Sequence, residues 1–459
     1  MRLSLTEVAW AVGGSLVGDG EARLTSVSTD TRDLSSGALY VALAGPRFNG
    51  HDFVRGAFAT GASAALVGDP SCLPDRAAAV VVPDTLRALQ RLAAWHRRQM
   101  PALVIALTGS VGKTTTKDLA AAVLARAGST LFTRGNLNNH IGVPLTLLRL
   151  EPEHRFAVIE MGCNGFGEIE LLAGIAAPTI GLVTRVAEAH LEGLGDLDGV
   201  ARAKGELLAS LPVDGTAVVN LDDPRVRAMR SPARRRIGYG EDSGADVRLS
   251  GREPGTDGTQ RLELALPGRT VRPRLGLLGA HNARNAAAAA ALAVAAGIEA
   301  EHVEAGLGDV LPAAGRLVMH RDAGALRVID DTYNANPGSV AAALDVLREH
   351  RGSGGAHVLL GEMAELGGER EAAHRRIGAL AARLGVTTLI GVEPAAGWLC
   401  EGAVGAGMDR GAVLCAASPE EAARLVEPRA AVGDVVLVKG SRVAQMERAV
   451  TVLRRGGGR

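Results

Sequence analysis

Residues 107–116 read LTGSVGKTTT, an approximation to the phosphate-binding pattern G-x-x-x-x-G-K-[ST]. Gly112, Lys113 and Thr114 supply its second half. Leu107 stands where the first glycine belongs, and Gly109 follows two residues later. In such a loop, backbone N–H groups and the dipole of the following helix face phosphate. Thr108, Gly109, Ser110, Val111 and Gly112 would cradle the anion. Lys113 would place a cation on the outer phosphates, and the Thr114 hydroxyl would ligate Mg²⁺. Leu107 reads as strand, so the turn is shortened without loss of a phosphate donor. The competing reading is a chance glycine turn before a helix.

A phosphate loop of this kind needs an acid for its magnesium. Glu160 ends the apolar run RFAVIE, where an α/β sheet delivers ligands to its carboxyl edge. His190 follows TIGLVT, and Lys204 lies on ARAKGELLAS with helical spacing. Singly, each has a plainer reading: a solvated strand cap, a structural histidine, a surface lysine. Their shared position after one glycine-loop strand favours a common site.

The elements that must carry these groups are legible from periodicity. ALVIAL (102–107) is a continuous apolar run, as in a parallel strand buried on both faces, and KTTTKDLAAAVLARAG has helical spacing with a terminal glycine. Further apolar runs come at 155–162, 179–184 and 216–223; 231–275 is more polar and strand-like, and 278–297 is an alanine helix. Before Pro101, short strand-like runs precede a helix over 87–99. From Arg316 onward strands and helices alternate, which implies a parallel sheet with right-handed crossovers. The expected fold is α/β in three domains. A small α/β N-terminal domain spans 1–99, a central P-loop ATPase domain with a parallel sheet spans 100–315, and a C-terminal Rossmann-like domain spans 316–459. The tail RRGGGR reads as disordered.

Composition agrees and excludes alternatives. At about 150 residues per domain, a chain of 459 residues suggests three. Fifty basic residues balance fifty acidic ones, so no global field draws in nucleic acid or an anionic membrane. Cys72, Cys163, Cys400 and Cys415 are scattered without a C-x-x-C pair, which fits a reducing cytoplasm. The N-terminus is too short and polar for a signal peptide. The longest apolar run, 286–296, falls short of the roughly 20 residues a membrane span needs.

With these motifs in hand, the chain resembles the Mur ligase family of ATP-dependent amide-forming enzymes in bacterial cell-wall precursor synthesis. The shortened TGSVGKTTT loop is the family's form. TRGNLNNHIGVPLTLL (133–148), EMGCNGFGEI (160–169), AHLEGLG (189–195), ARAKGE (201–206) and GAHNARNAAAA (279–289) follow its central domain. DDTYNANPGS (330–339), LLGEMAELG (359–367) and LVKGSR (437–442) follow the C-terminal one. STDTR (28–32) and VALAGPRFNGHDF (41–53) follow the N-terminal one.

The resemblance implies roles, residue by residue. Lys113 and Thr114 look like the β/γ-phosphate and magnesium groups, and Glu160 and His190 like magnesium ligands. Lys204 matches a lysine that in several members carries a carbamate able to support a second magnesium ion. Asn285 is similar to the residue that meets adenine; Arg316 and Asp331 match groups reaching ATP from the C-terminal domain. Thr31 and Arg32 lie in the motif that meets the uridine nucleotide. Asn138, Asn139, Tyr333, Asn334 and Asn336 resemble substrate-contacting loops. DTYNANPG is also generic turn chemistry, and Ser441 of VKGSR could be a helix N-cap. Asn49, Arg185 and Glu362 depart from common family residues, Gly165 and Phe166 fall where the family varies, and none lies in the glycine loop or among the metal-ligand candidates.

The implied reaction adds D-alanyl-D-alanine to UDP-N-acetylmuramoyl-tripeptide, with ATP and two magnesium ions, through an acyl phosphate. The implied enzyme is a cytoplasmic monomer. The linkers near 100 and 315 suit closure of the site before chemistry. Two alternatives stay open: a sister ligase adding a diamino acid to the dipeptide precursor, and a non-enzymatic nucleotide-binding regulator on the same fold. The DNPR motif that reads the diamino acid is absent.

Overall fold

The computed structural model describes residues 3–45, 48–187, 191–255, 257–323 and 326–456. Its chain packs as two compact units. One holds residues 1–250, 264–271 and 284–307; the other holds 251–263, 272–283 and 308–459.

Among the described residues, beside two short two-stranded sheets, the first unit is built on two larger ones. The N-terminal one runs in the order Ser15–Val17, Ala79–Val81, Ala64–Val67, Ala38–Val41, Ser26–Ser28; only its first pairing is antiparallel. The helix Thr85–Gln99, capped where the Asp84 carboxylate accepts from the Arg87 N–H at 2.9 Å, buries Ala88, Leu89, Leu92, Ala93 and His96. That stripe has the 3.6-residue period of an amphipathic helix. It serves both sheets, since one apolar core takes in Leu39, Leu66, Leu89 and Leu92 together with Val104, Ile159 and Val183. His96 Nε2 meets the Leu150 carbonyl at 2.9 Å, and burial lowers its pKa, so the ring is a neutral core group. The segment 1–99 therefore has its own sheet but shares its core with the central one.

The central sheet is parallel across Thr130–Phe132, Phe156–Glu160, Leu103–Thr108, Ile180–Val183, Thr216–Asn220 and Arg235–Gly240. The glycine-loop strand Leu103–Thr108 thus lies between the strand ending at Glu160 and the strand leading to Thr184. Chain order departs from spatial order on both its sides, and such a switch point opens a crevice at the strands' carboxyl ends. Val104 to Thr108 are all buried, as their unbroken apolar run requires.

The second unit is built on a six-stranded sheet. Val318–Ala323 is an antiparallel edge; Leu326–Asp331, Val435–Lys439, Ala356–Leu360, Thr388–Val392 and Val413–Ala416 follow in parallel. Alternate residues sort onto opposite faces. Ile329, Val358, Leu360, Val435 and Leu437 enter one core, while Val328, Leu359, Ile390, Val436 and Val438 enter the other. This period of two puts helices on both faces, the Rossmann-like arrangement. Arg454, Arg455 and Gly456, read from sequence as part of a disordered tail, instead close the helix Glu447–Gly456, because Ala449, Val450 and Leu453 form a buried stripe. Residues 457–459 lie outside the described ones. Among the described residues no helix is long and apolar enough to cross a membrane.

Candidate active site

The shortened loop resolves at Leu107. This residue is fully buried strand, abreast of Glu160 in parallel register, and its carbonyl accepts from the Met161 N–H at 2.9 Å. The turn starts at Gly109, whose φ of +148° and closeness to Thr184 leave no room for a side chain: a Cβ there would lie 1.9 Å from Thr184 Oγ1. Gly112, at φ +82°, is the N-cap of the helix Lys113–Ala125 and makes no side-chain cap bond. The helix therefore presents its first N–H groups without a side chain over them, the usual basis of a phosphate site.

Neighbouring strand ends brace the loop. Thr108 Oγ1 donates to the Met161 carbonyl at 2.7 Å. Thr184 Oγ1 donates to the Val111 carbonyl at 2.6 Å, and Ser110 Oγ donates to the Ala187 carbonyl at 2.9 Å while accepting its N–H at 3.0 Å. Asn220 Nδ2 and the Tyr239 hydroxyl both donate to the Thr184 carbonyl, at 2.7 and 3.1 Å. The side chains of Thr108 and Ser110 thus hold the loop's shape, and its backbone is left to face an anion.

Lys113 lies folded over its own loop, with Nζ 2.7 Å from the Gly109 carbonyl and 3.4 Å from that of Ser110. Burial first, and the nearby Lys204 charge second, push its pKa down to about 8. Both costs would be relieved by an incoming polyanion. Glu160 is nearly fully buried. Its Oε1 accepts from Thr114 Oγ1 at 3.3 Å and from Asn138 Nδ2 at 2.8 Å, while Oε2 is buried without a hydrogen-bond partner. An orphaned buried carboxylate oxygen is costly, and a hard cation is one partner that would offset it. Lys204 is 1 % exposed, and its amine donates to Cys163 Sγ at 3.0 Å. Cys163 was not singled out from the sequence. His190 lies outside the described residues, among which no cluster of metal-binding side chains occurs.

Other candidate residues are placed as follows. Asn285 faces the loop: a Cβ at Gly112 would come within 2.4 Å of its Oδ1. Asn139 lies in the turn before the helix Gly142–Leu147, its Oδ1 accepting from the N–H groups of Ile141 and Gly142 at 3.1 and 2.9 Å. Thr31 and Arg32 belong to the turn Thr31–Asp33, where Arg32 is exposed and forks onto Asp30 at 2.6 Å.

In the second unit, Arg316 stacks over the Tyr333 ring at 4.2 Å. Asp331 Oδ2 accepts from Lys439 Nζ at 2.5 Å, and the same ammonium donates to the Asn334 carbonyl at 2.8 Å. Burial pushes the Asp331 carboxyl up and the Lys439 ammonium down, against the attraction between them. Lys439 stood in a recognised motif but was not singled out; a lysine ending an apolar strand was the available signal. Asn336 caps the helix Pro337–His350. Ser441 N-caps the turn Arg442–Ala444 without a side-chain bond, and its hydroxyl is buried and unpartnered.

Family models for the Mur ligase family catalytic domain, middle domain and glutamate ligase domain match residues 23–97, 107–293 and 315–442. The chain is 40 % identical to the UDP-N-acetylmuramoyl-tripeptide--D-alanyl-D-alanine ligase of Escherichia coli (strain K12), over 100 % of this chain and 99 % of that one. It is 34 % identical to the Bacillus subtilis (strain 168) ligase of the same name, over 92 % of each. A crystal structure of MurF from Acinetobacter baumannii matches with a TM-score of 0.89 at 34 % identity, covering 99 % of both chains. MurF ligase from Thermotoga maritima in complex with ADP matches at 0.81 and 26 % identity, over 94 % of this chain and 97 % of that one. On the glycine loop, the parallel strands that flank it and this full-length likeness, the chain belongs to the Mur ligase family.

Proposed function

We propose that the chain is the ATP-dependent peptide ligase that joins D-alanyl-D-alanine to UDP-N-acetylmuramoyl-tripeptide. The observation that carries this is the likeness to ligases of that name over the whole of both chains. The three domains lie at 1–99, 100–315 and 316–459, and the enzyme works as a cytoplasmic monomer.

The terminal carboxylate of the tripeptide attacks the γ-phosphorus of ATP; an O–P bond forms, the bond to the bridging oxygen breaks, and ADP departs. The amine of D-alanyl-D-alanine then attacks the acyl carbon, and phosphate leaves as the amide forms. The first step brings two anions together, so the site must position them and neutralise their repulsion. The Lys113 ammonium does so by turning from the Gly109 and Ser110 carbonyls onto the phosphates. The backbone of 109–114 holds the β-phosphate, and Asn285 meets the base.

Thr114, Glu160 and His190, joined by Lys204 once carbamylated, are the groups we assign to two magnesium ions, which when bound supply further positive charge at the phosphates. The unpartnered Oε2 of Glu160 supports that fit. Carbamylation of Lys204 would convert a buried cation beside Lys113 into an anion, replacing like-charge repulsion by attraction. Arg316 and Asp331 serve ATP, Thr31 and Arg32 serve the uridine nucleotide, and Asn138, Asn139, Tyr333, Asn334 and Asn336 serve the peptide substrates. The bond from Asn138 to Glu160 supports a role for Asn138 in aiming that carboxylate.

The test is phosphate release from ATP with UDP-muramoyl-tripeptide and D-alanyl-D-alanine, against UDP-muramoyl-dipeptide with a diamino acid. Release in the first mixture alone is expected; release only in the second would transfer the chain to the sister activity.

A further inference from the structure

Two cysteines outside the ligase site form a contact that the reaction does not use. Cys400, on the helix Ala396–Gly405, and Cys415, on the edge strand Val413–Ala416, bring their sulfurs to 3.1 Å. The two are free thiols of unequal access: Cys415 is exposed and Cys400 half-buried, its thiol donating to the Leu414 carbonyl at 3.2 Å. Cys72 and Cys163 have other partners, a backbone carbonyl and a lysine. The strand carrying Cys415 pairs with Thr388–Val392 at the far edge of the sheet, three strands removed from Val435–Lys439. Change at this pair is thus separated, within its own sheet, from Asp331 and Lys439.

We propose that Cys400 and Cys415 are a redox modification site, an exposed thiol and its resolving partner, which hydroperoxides convert into a reversible intramolecular disulfide. The Cys415 thiolate attacks a peroxide oxygen; the S–O bond forms, the O–O bond breaks, and an alcohol or water leaves with a proton. The sulfenic acid is then attacked by the Cys400 sulfur; the S–S bond forms, the S–O bond breaks, and the hydroxide leaves with the Cys400 proton as water. Two thiols and one hydroperoxide thus give one disulfide, one alcohol and one water.

The roles follow from the surroundings. Burial, then the hydrogen bond and charge of Cys415, push the Cys400 thiol up to about 12, so Cys400 stays protonated while its exposed neighbour meets oxidant. Once Cys415 is a sulfenic acid, the Cys400 sulfur at 3.1 Å is in place to resolve it. The product spares Cys415 the irreversible step to sulfinic acid. It also ties the helix to the edge strand across a short loop.

The experiment treats the full-length protein with hydrogen peroxide and maps its peptides by mass spectrometry. A 400–415 linked peptide is expected as the main product, released by dithiothreitol, with ligase turnover within about twofold of the untreated protein because the pair lies off the site. In Cys400→Ser, Cys415 should pass to sulfinic acid. In Cys415→Ser, Cys400 should remain a thiol under the same dose. Sulfinic acid at Cys415 in the unsubstituted protein, at the rate seen in Cys400→Ser, would overturn the proposal. So would a disulfide that joins Cys415 to another chain.

Discussion

The Thr114 hydroxyl donates to Oε1 of Glu160 at 3.3 Å, tying the first turn of the glycine-loop helix to the end of the neighbouring parallel strand. Asn138 holds the same oxygen at 2.8 Å, so one carboxylate oxygen is fixed and the other, Oε2, is left buried and unpaired. Glu160→Gln keeps the shape and removes the charge. Phosphate release should fall about 10²–10³-fold, the range for losing one preorganised electrostatic group. The nucleotide Kd, held mainly by the loop backbone, should change far less. Unaltered kcat in Glu160→Gln would remove this carboxylate from the chemistry.

Lys113 makes nucleotide binding depend on pH. In the free protein its pKa is lowered to about 8; bound phosphates would raise it, since an opposite charge favours the ammonium. Binding then takes up a proton above pH 8. The sign follows: affinity is level below about pH 8 and weakens as pH rises further, by up to tenfold per unit. Calorimetry of ADP binding in buffers of different ionisation enthalpy should show proton uptake at pH 9 and little at pH 7. Lys113→Met should abolish the uptake. Equal affinity at the two pH values would contradict the assignment.

Gly112 tests how closely the loop is fitted. Alanine at φ +82° costs about 1–2 kcal/mol in the left-handed region. Its Cβ would also lie 2.4 Å from Asn285 Oδ1, which must give way. Gly112→Ala should lower the thermal midpoint and weaken ADP binding more than tenfold. Gly174, inside the helix Glu168–Ala176 with nothing near its Cβ position, is the control: Gly174→Ala should stabilise by about 0.4–1 kcal/mol. ADP affinity unchanged in Gly112→Ala would show that Asn285 is not held by the loop.

Much of this was legible in the sequence, for identifiable reasons. Lys113, Thr114 and Glu160 sit where a continuous apolar run ends, and such runs announce both strand and carboxyl edge without any knowledge of strand order. The helix over 87–99 shows its period, and the structure extends it by two residues to the Asp84 cap. Pairings set by spatial order did not show. Lys439 meets Asp331 from 108 positions away because Val435–Lys439 inserts beside Leu326–Asp331, ahead of three strands that precede it in the chain. Cys163 lies 41 positions from Lys204, on a turn whose path no local pattern fixes. Asn139 carries a local bond that its motif does not announce, its Oδ1 accepting from the Gly142 N–H two residues after His140.

The Lys439–Asp331 pair is almost closed to solvent, with side chains 2 % and 13 % exposed. Two charges there cost desolvation, and their attraction plus the bond to the Asn334 carbonyl offsets it. Removing one partner leaves an uncompensated charge. Lys439→Met should therefore destabilise the second unit by about 3–5 kcal/mol, while Lys439→Met with Asp331→Asn should recover most of the loss. Trp398, the one tryptophan of that unit, reports on it in a Trp10→Phe, Trp95→Phe background during urea unfolding of the full chain. The two variants then separate stability from function. The double variant regains folding but lacks the carboxylate and ammonium, so its KM for ATP should stay raised if Asp331 serves the nucleotide. A double variant as unstable as Lys439→Met would mean that the lysine acts through Asn334 and its turn, and not through the charge of Asp331.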